Sequence, residues 1–166
     1  MKKMIKIPES RLGVLISCKR EIEKHLDAKI YIDRNENEIS IDGEALAVMD
    51  AENIITSIGR GFSPEKALKL VDENNILCIV YLPKDEKKLK RLKSRIIGED
   101  GRSRKTIEEL TDTDISIFGK TVSIIGNHEA VENVKTSIEM FIKGFSHRAI
   151  YAFLEKKNAQ MRKYGQ

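Results

Sequence analysis

The stretch Arg95-Ile96-Ile97-Gly98-Glu99-Asp100-Gly101-Arg102-Ser103-Arg104-Lys105 sets two glycines three positions apart between two segments of helical periodicity and surrounds them with positive charge. Glycine lacks a Cβ, so such a pair lets the main chain turn sharply and lets a bulky group approach it closely. The N–H groups that open the following helix then face outward, where the helix dipole favours an anion. The stretch therefore predicts a helix–turn–helix unit whose turn can hold a sugar-phosphate backbone.

Charge is concentrated around it. The formal charge of the 166-residue chain is only +4, but residues 84–105 carry ten Lys or Arg against Asp85, Glu86, Glu99 and Asp100, a net +6, while the remaining residues sum to −2. A basic segment centred on a glycine turn, in an otherwise faintly acidic chain, points to a local polyanion site. The plainer alternative is a solvated helix face. The 40% hydrophobic content suffices for one medium domain or two small ones. No apolar run approaches the roughly 20 residues that cross a bilayer, and Met1–Pro8 lacks a signal-peptide core, so a cytoplasmic protein without membrane attachment is expected. Cys18 and Cys78 are isolated, and His25, His128 and His147 lie far from them, so no metal or cofactor is expected.

The chain repeats itself. Ile39-Ser40-Ile41-Asp42-Gly43 matches Val122-Ser123-Ile124-Ile125-Gly126, and Ile58-Gly59-Arg60-Gly61-Phe62-Ser63 matches Phe141-Ile142-Lys143-Gly144-Phe145-Ser146, both at an offset of 83. Between the matches each copy has apolar residues at three- and four-residue spacing: Val48, Ala51, Ile54, Ile55, Ile58 and Val131, Val134, Ile138, Phe141, Ile142. Upstream, Lys29–Asp33 and Asp114–Phe118 alternate as strands that pair with the next strand in a hairpin. Met4–Ile7 and Ile76–Leu82 open the copies as first strands.

The predicted order is strand, helix, turn, helix, strand, strand, helix, twice. This is an α+β fold of two similar domains packed together, each a three-stranded antiparallel sheet covered by helices on one face. The expected boundaries are residues 1–62, a helical connector at 63–75 starting at Pro64, a second domain at 76–145, and a basic C-terminal helix at 146–166. In that helix Ile150, Phe153 and Leu154 form an apolar side expected to pack across the copies. Arg148, Lys156, Lys157, Arg162 and Lys163 offer a second RNA contact.

The order of elements and the signature Ile96-Ile97-Gly98-Glu99-Asp100-Gly101 resemble a type I KH domain. In that family the Gly-x-x-Gly turn clamps about four nucleotides of single-stranded RNA or DNA while an apolar groove beside it reads unstacked bases. The resemblance implies that Gly98, Glu99, Asp100 and Gly101 form the clamp, with Ile97 on one groove wall and Ile115, Ser116 and Ile117 on the opposing strand. Lys93, Arg95, Arg102, Arg104 and Lys105 supply the charge. Glu99 and Asp100 depart from the chemistry a phosphate prefers, and those cations offset them only if they face the same groove.

The first copy is shorter: Ser17 lies 13 positions before Ile30, whereas Gly98 lies 17 before Ile115. The four missing residues equal the turn in length, and Ser17-Cys18-Lys19-Arg20 contains no glycine. This copy is expected to keep the fold and lose the clamp, leaving it a structural or protein-binding role, with Cys18 a small buried apolar residue.

Two such units with both Gly-Phe-Ser joints and a basic final helix resemble the Krr/partner-of-Nob group of small-subunit ribosome-assembly proteins, in its short archaeal form. That resemblance implies a monomer that binds single-stranded RNA near the 3′ end of small-subunit ribosomal RNA. It also implies partners: a Nob-type endonuclease and the alpha subunit of the initiation factor that carries initiator tRNA. The alternative is a protein–protein scaffold with little RNA binding of its own. An enzyme is not expected, because the turn lacks the Gly-Lys-Ser/Thr ending of a P-loop and no catalytic constellation is legible. His147 is expected to pack or cap at a helix start.

Overall fold

The computed structural model describes residues 1–164. The chain divides into two compact units, Met1–Leu77 and the segment from Cys78 onward, with the boundary inside a strand. The fold is α+β, with two three-stranded sheets and seven α-helices among the described residues. No helix among them is long and apolar enough to cross a membrane.

The first unit comprises β1 (Lys2–Lys6), α1 (Leu12–His25), β2 (Ala28–Asp33), β3 (Glu38–Gly43), α2 (Ala45–Gly59) and α3 (Pro64–Ala67). Its strands run antiparallel in the order β1-β3-β2, with Ile5 opposite Ile39 and Ile30 opposite Ile41. Period-two alternation buries Ile30, Ile39 and Ile41 while Tyr31 stays exposed. α2 closes the core, packing on β3 and α1 with Val48, Ala51, Ile54, Ile55 and Ile58 fully buried. Each such isoleucine contributes about 2 kcal/mol of burial. The Arg11 guanidinium donates to the carbonyls of Ile58 and Phe62, both at 2.7 Å, and so ties the start of α1 to the end of α2 and the joint that follows it. Ser63 then accepts the Lys66 N–H at 3.3 Å and Pro64 fills the first helical position, which starts α3. Residues 63–75 thus lie within the first unit, with Ala67 and Leu70 buried.

The second unit comprises β4 (Asn75–Tyr81), α4 (Glu86–Ile97), α5 (Arg102–Thr111), β5 (Asp114–Phe118), β6 (Thr121–Asn127), α6 (His128–Ile142) and α7 (His147–Tyr164). β6 is the central strand of the order β4-β6-β5 and pairs antiparallel with β5, placing Ile115 opposite Ile124 and Ile117 opposite Val122. The joint into α7 repeats the first copy: Ser146 Oγ accepts the Ala149 N–H at 3.1 Å, and Arg95 donates to the Phe145 carbonyl at 2.6 Å, as Arg11 does to Phe62. α7 packs on α5 and α6 of its own unit through Ile150 and Leu154.

The first unit also departs from the predicted helix pair. A 3-10 turn over Glu9–Arg11 leads into the single unbroken helix α1, whose Leu12, Leu15, Cys18 and Ile22 are buried at helical spacing. A shared hydrogen bond fixes the register between copies: Glu23 accepts the Ile30 N–H and Glu108 accepts the Ile115 N–H, eighty-five positions apart. That register sets Gly13–Ile16 against Gly98–Gly101. The glycine turn is thus replaced by helix rather than deleted, and the missing residues lie before it, where the second unit has α4. The physical reason is that Val14, Leu15 and Ile16 all carry a Cβ and adopt right-handed helix, and Gly13, which matches Gly98, continues that helix without the positive φ that turns the chain at Gly98. Cys18 is buried as expected, and desolvation raises its thiol above the ordinary cysteine range.

Candidate nucleic-acid interface

α4 forms because Asp85 caps it, its carboxylate accepting the Lys87 N–H at 3.0 Å, and because Leu89, Leu92 and Ile96 recur on one side. It stops at Gly98, which takes φ +76°. A side chain there would be strained, and its Cβ would sit 2.7 Å from both Cβ and N of Ser103, so Gly98 is required by backbone and by space together. Glu99 and Asp100 form a tight turn closed by Gly101 N–H donating to the Gly98 carbonyl at 3.2 Å. Asp100 itself is left-handed, at φ +54°, a conformation aspartate tolerates better than most residues. Gly101, at φ +73°, begins α5 in more open surroundings: a Cβ added there would meet only the Arg104 guanidinium within 4 Å.

No side chain caps α5, and its first turn carries no carboxylate. Its leading amides therefore point at an anion-accepting position beside the turn. Ser103 deepens that position: it is buried, and its hydroxyl has no hydrogen-bond partner among the described residues. Around it Glu99, Asp100, Arg102 and Lys105 are exposed and Gly98, Gly101 and Arg104 half-buried. Arg104 is held by Glu108 at 2.6 Å. The second oxygen of Glu108 accepts the Ile115 N–H at 2.8 Å, tying α5 to β5 at the open edge of the sheet. α5 contacts both α4 and β5, so Ile97 at the end of α4 and Ile115, Ser116 and Ile117 on β5 flank the same helix. Ile115 is buried; Ile97, Ser116 and Ile117 are half-buried.

The basic residues do not all gather at the turn. Arg95 points elsewhere: its guanidinium donates to the Phe145 carbonyl and lies 5.4 Å over the Phe141 ring, while its own carbonyl sits 2.8 Å from His147 Nε2. It fastens α4 to the α6–α7 joint, and His147, edge-on to Phe141, is a packing residue at the start of α7. Lys93 is half-buried on α4, on the helix before the turn. The cations adjoining the glycines are Arg102, Arg104 and Lys105. Glu108 and Ser103 were not anticipated as site residues. The sequence holds one signal for the former: Lys19 and Glu23 repeat the four-residue spacing of Arg104 and Glu108, and both pairs form salt bridges.

The model for the second KH domain of PNO1, described as a eukaryotic type KH-domain (KH-domain type I), matches residues 74–159. The chain is 40% identical to KH domain-containing protein MJ0443 of Methanocaldococcus jannaschii over 96% of its own length and 75% of that protein. It is 24% identical to the pre-rRNA-processing protein PNO1 of Chaetomium thermophilum over 81% of its length, and spans about half, 53%, of that relative. It also resembles a chain in the crystal structure of an a/eIF2alpha–aDim2p–rRNA complex from Pyrococcus horikoshii OT3, with a TM-score of 0.90 at 41% identity, covering 96% of this chain and 95% of that one.

Proposed function

Because this chain belongs to the PNO1 family of type I KH-domain proteins, we propose that it binds single-stranded small-subunit ribosomal RNA near its 3′ end during ribosome assembly. The observation that carries the reading is the turn from Gly98 to Gly101, which opens into the uncapped N-terminus of α5 beside a strand edge. Backbone amides and the cations Arg102, Arg104 and Lys105 take the phosphates. The aliphatic surface of Ile97, Ile115 and Ile117, with Ser116 between the last two, takes the bases. The protein acts by holding RNA, not by chemistry upon it. The exposed cations of α7, among them Arg148, Lys156, Arg162 and Lys163, add a further contact to the polyanion.

The reading extends to partners. The Pyrococcus relative stands in a complex with a/eIF2alpha and rRNA, and the same initiation-factor subunit is a partner here. A Nob-type endonuclease working at the same RNA end is the second. The two repeated units form a tandem in which only the second carries the glycine clamp. Titration of the protein with a fluorescent single-stranded oligonucleotide of the 3′-end sequence tests the reading. Salt-sensitive binding at micromolar concentration or tighter supports it, and no binding overturns it. A scaffold reading draws on Glu99 and Asp100, which oppose phosphate; partners retained from lysate after complete nuclease digestion, with no RNA binding, favour that instead.

A further inference from the structure

A cavity of about 420 Å³ opens between α4 and the α6–α7 joint of the second unit. Its floor is apolar, made by Pro83, Leu92, Phe141 and Ile142, and its rim carries Lys88 and Arg91. Arg95 also lines it but is engaged with the Phe145 carbonyl. The groove faces away from the RNA. Arg95 and Ile97 leave α4 roughly 160° apart around the helix axis, so the side that carries Lys88, Arg91 and Arg95 lies opposite the side on which Ile97 flanks the glycine turn.

The first unit closes the equivalent place. Ile7-Pro8 follows β1 as Leu82-Pro83 follows β4, and Gly59 stands at the offset of 83 from Ile142. A Cβ on Gly59 would lie 2.7 Å from Ile7 and 3.6 Å from Pro8, so α2 rests directly on the strand end. An isoleucine forbids that approach. Ile142 instead stays 39% exposed, with Phe145 45% exposed three residues on, and together they leave apolar surface in water beside the rim cations.

We propose that this groove docks an acidic segment of a protein partner, with one aliphatic or aromatic side chain on the floor and carboxylates at the rim. Charge selects that occupant. From Lys87 onward α4 carries six cations and no carboxylate, and Lys88 and Arg91 are exposed with no ion pair among the described residues. No carboxylate lines the groove. The floor argues against a base: the Phe141 ring is buried, with Arg95 over its face and His147 at its edge, so no free ring is left for stacking. Nor does any hydroxyl or amide side chain line the groove to read a base edge. Aliphatic surface ringed by cations fits an apolar anchor within an acidic chain.

Amide correlation spectra of the full chain, titrated with the nonapeptide Glu-Glu-Asp-Glu-Leu-Phe-Glu-Asp-Glu, test this. Amides of 88–92 and 141–145 should shift, and those of 98–105 should not. Exchanging Leu-Phe for Ser-Ser in the peptide should weaken binding about tenfold, as loss of an anchor does. Lys88→Glu/Arg91→Glu should also weaken it by about tenfold or more, because the rim then repels the carboxylates. Both side chains are exposed, so the fold is retained. Tetrauridine should still shift 98–105 in that variant, and those shifts report the RNA reading separately, so its failure is distinguishable from failure of this groove. Three results overturn the proposal: no peptide shifts at about 1 mM, shifts indifferent to the Ser-Ser exchange or to Lys88→Glu/Arg91→Glu, or displacement of the peptide from 88–92 by tetrauridine.

Discussion

Glu108 accepts the backbone N–H of Ile115 at 2.8 Å while its other carboxylate oxygen holds Arg104 at 2.6 Å, so one side chain couples the helix after the turn to the open strand edge. Glu108→Ala leaves a partly buried N–H without its partner and frees Arg104. The expected cost is about 1–3 kcal/mol of stability, read by chemical denaturation, together with weaker RNA binding from a loosened groove. Glu108→Gln keeps an acceptor for Ile115 and should lose less of both.

Glu99 and Asp100 are exposed on the turn and oppose an approaching phosphate by about 1 kcal/mol each in water-like surroundings. Neutralising both with Glu99→Gln/Asp100→Asn should therefore strengthen RNA binding by up to roughly thirtyfold at low salt, and by less as salt screens the charges. Asparagine suits position 100 because it, too, tolerates the left-handed backbone that Asp100 adopts. Titrations at two salt concentrations check this; unchanged affinity at low salt would place the phosphates away from the turn.

The two glycines of the turn should respond differently to alanine. Gly98→Ala meets both a positive φ and a contact of 2.7 Å with Ser103, whereas Gly101→Ala meets the positive φ alone. Thermal denaturation should show about 1–2 kcal/mol lost at Gly101 and more at Gly98. Equal losses would mean that the Ser103 contact relaxes freely.

Acid should act on the first unit through Glu23. Burial acts to raise its carboxyl, but the Ile30 N–H and then Lys19 outweigh that and hold it below the ordinary glutamate range. A lowered folded value means the stabilisation is complete above the unfolded value near 4.3 and is lost as pH falls through the folded value. Glu23→Gln keeps an acceptor for Ile30 but loses the ion pair. It should be less stable than the wild type by about 1 kcal/mol at pH 7, with the gap closing below pH 4. A gap independent of pH would remove the carboxylate from the account.

Much of this was legible in the letters. Period-two alternation located β5 to the residue, the offset of 83 placed α2 against α6, and the Gly-Phe-Ser joints marked the starts of α3 and α7. Spacing failed where it measured length without register. Counting from Ser17 found four residues missing but put the gap in the turn, because the pairing of Glu23 with Ile30 across space is not visible in a linear count. Charge was likewise legible as a total and not as a direction: Arg95 lies three residues before Gly98, yet it turns to the Phe145 carbonyl. Ser103 gave no signal at all, since a buried hydroxyl and an exposed one are the same letter.

The central claim is that the turn from Gly98 to Gly101 holds the RNA backbone, and Gly101→Asp tests it most directly. Aspartate accepts the left-handed backbone at small cost, and the surroundings of Gly101 leave room for it, so the unit should stay folded with a melting temperature only a few degrees lower. Its carboxylate would occupy the approach to the α5 amides. The account predicts at least about tenfold weaker binding of a single-stranded 3′-end oligonucleotide and a shallower salt dependence. A folded Gly101→Asp protein that binds the same oligonucleotide as tightly as the wild type would contradict it.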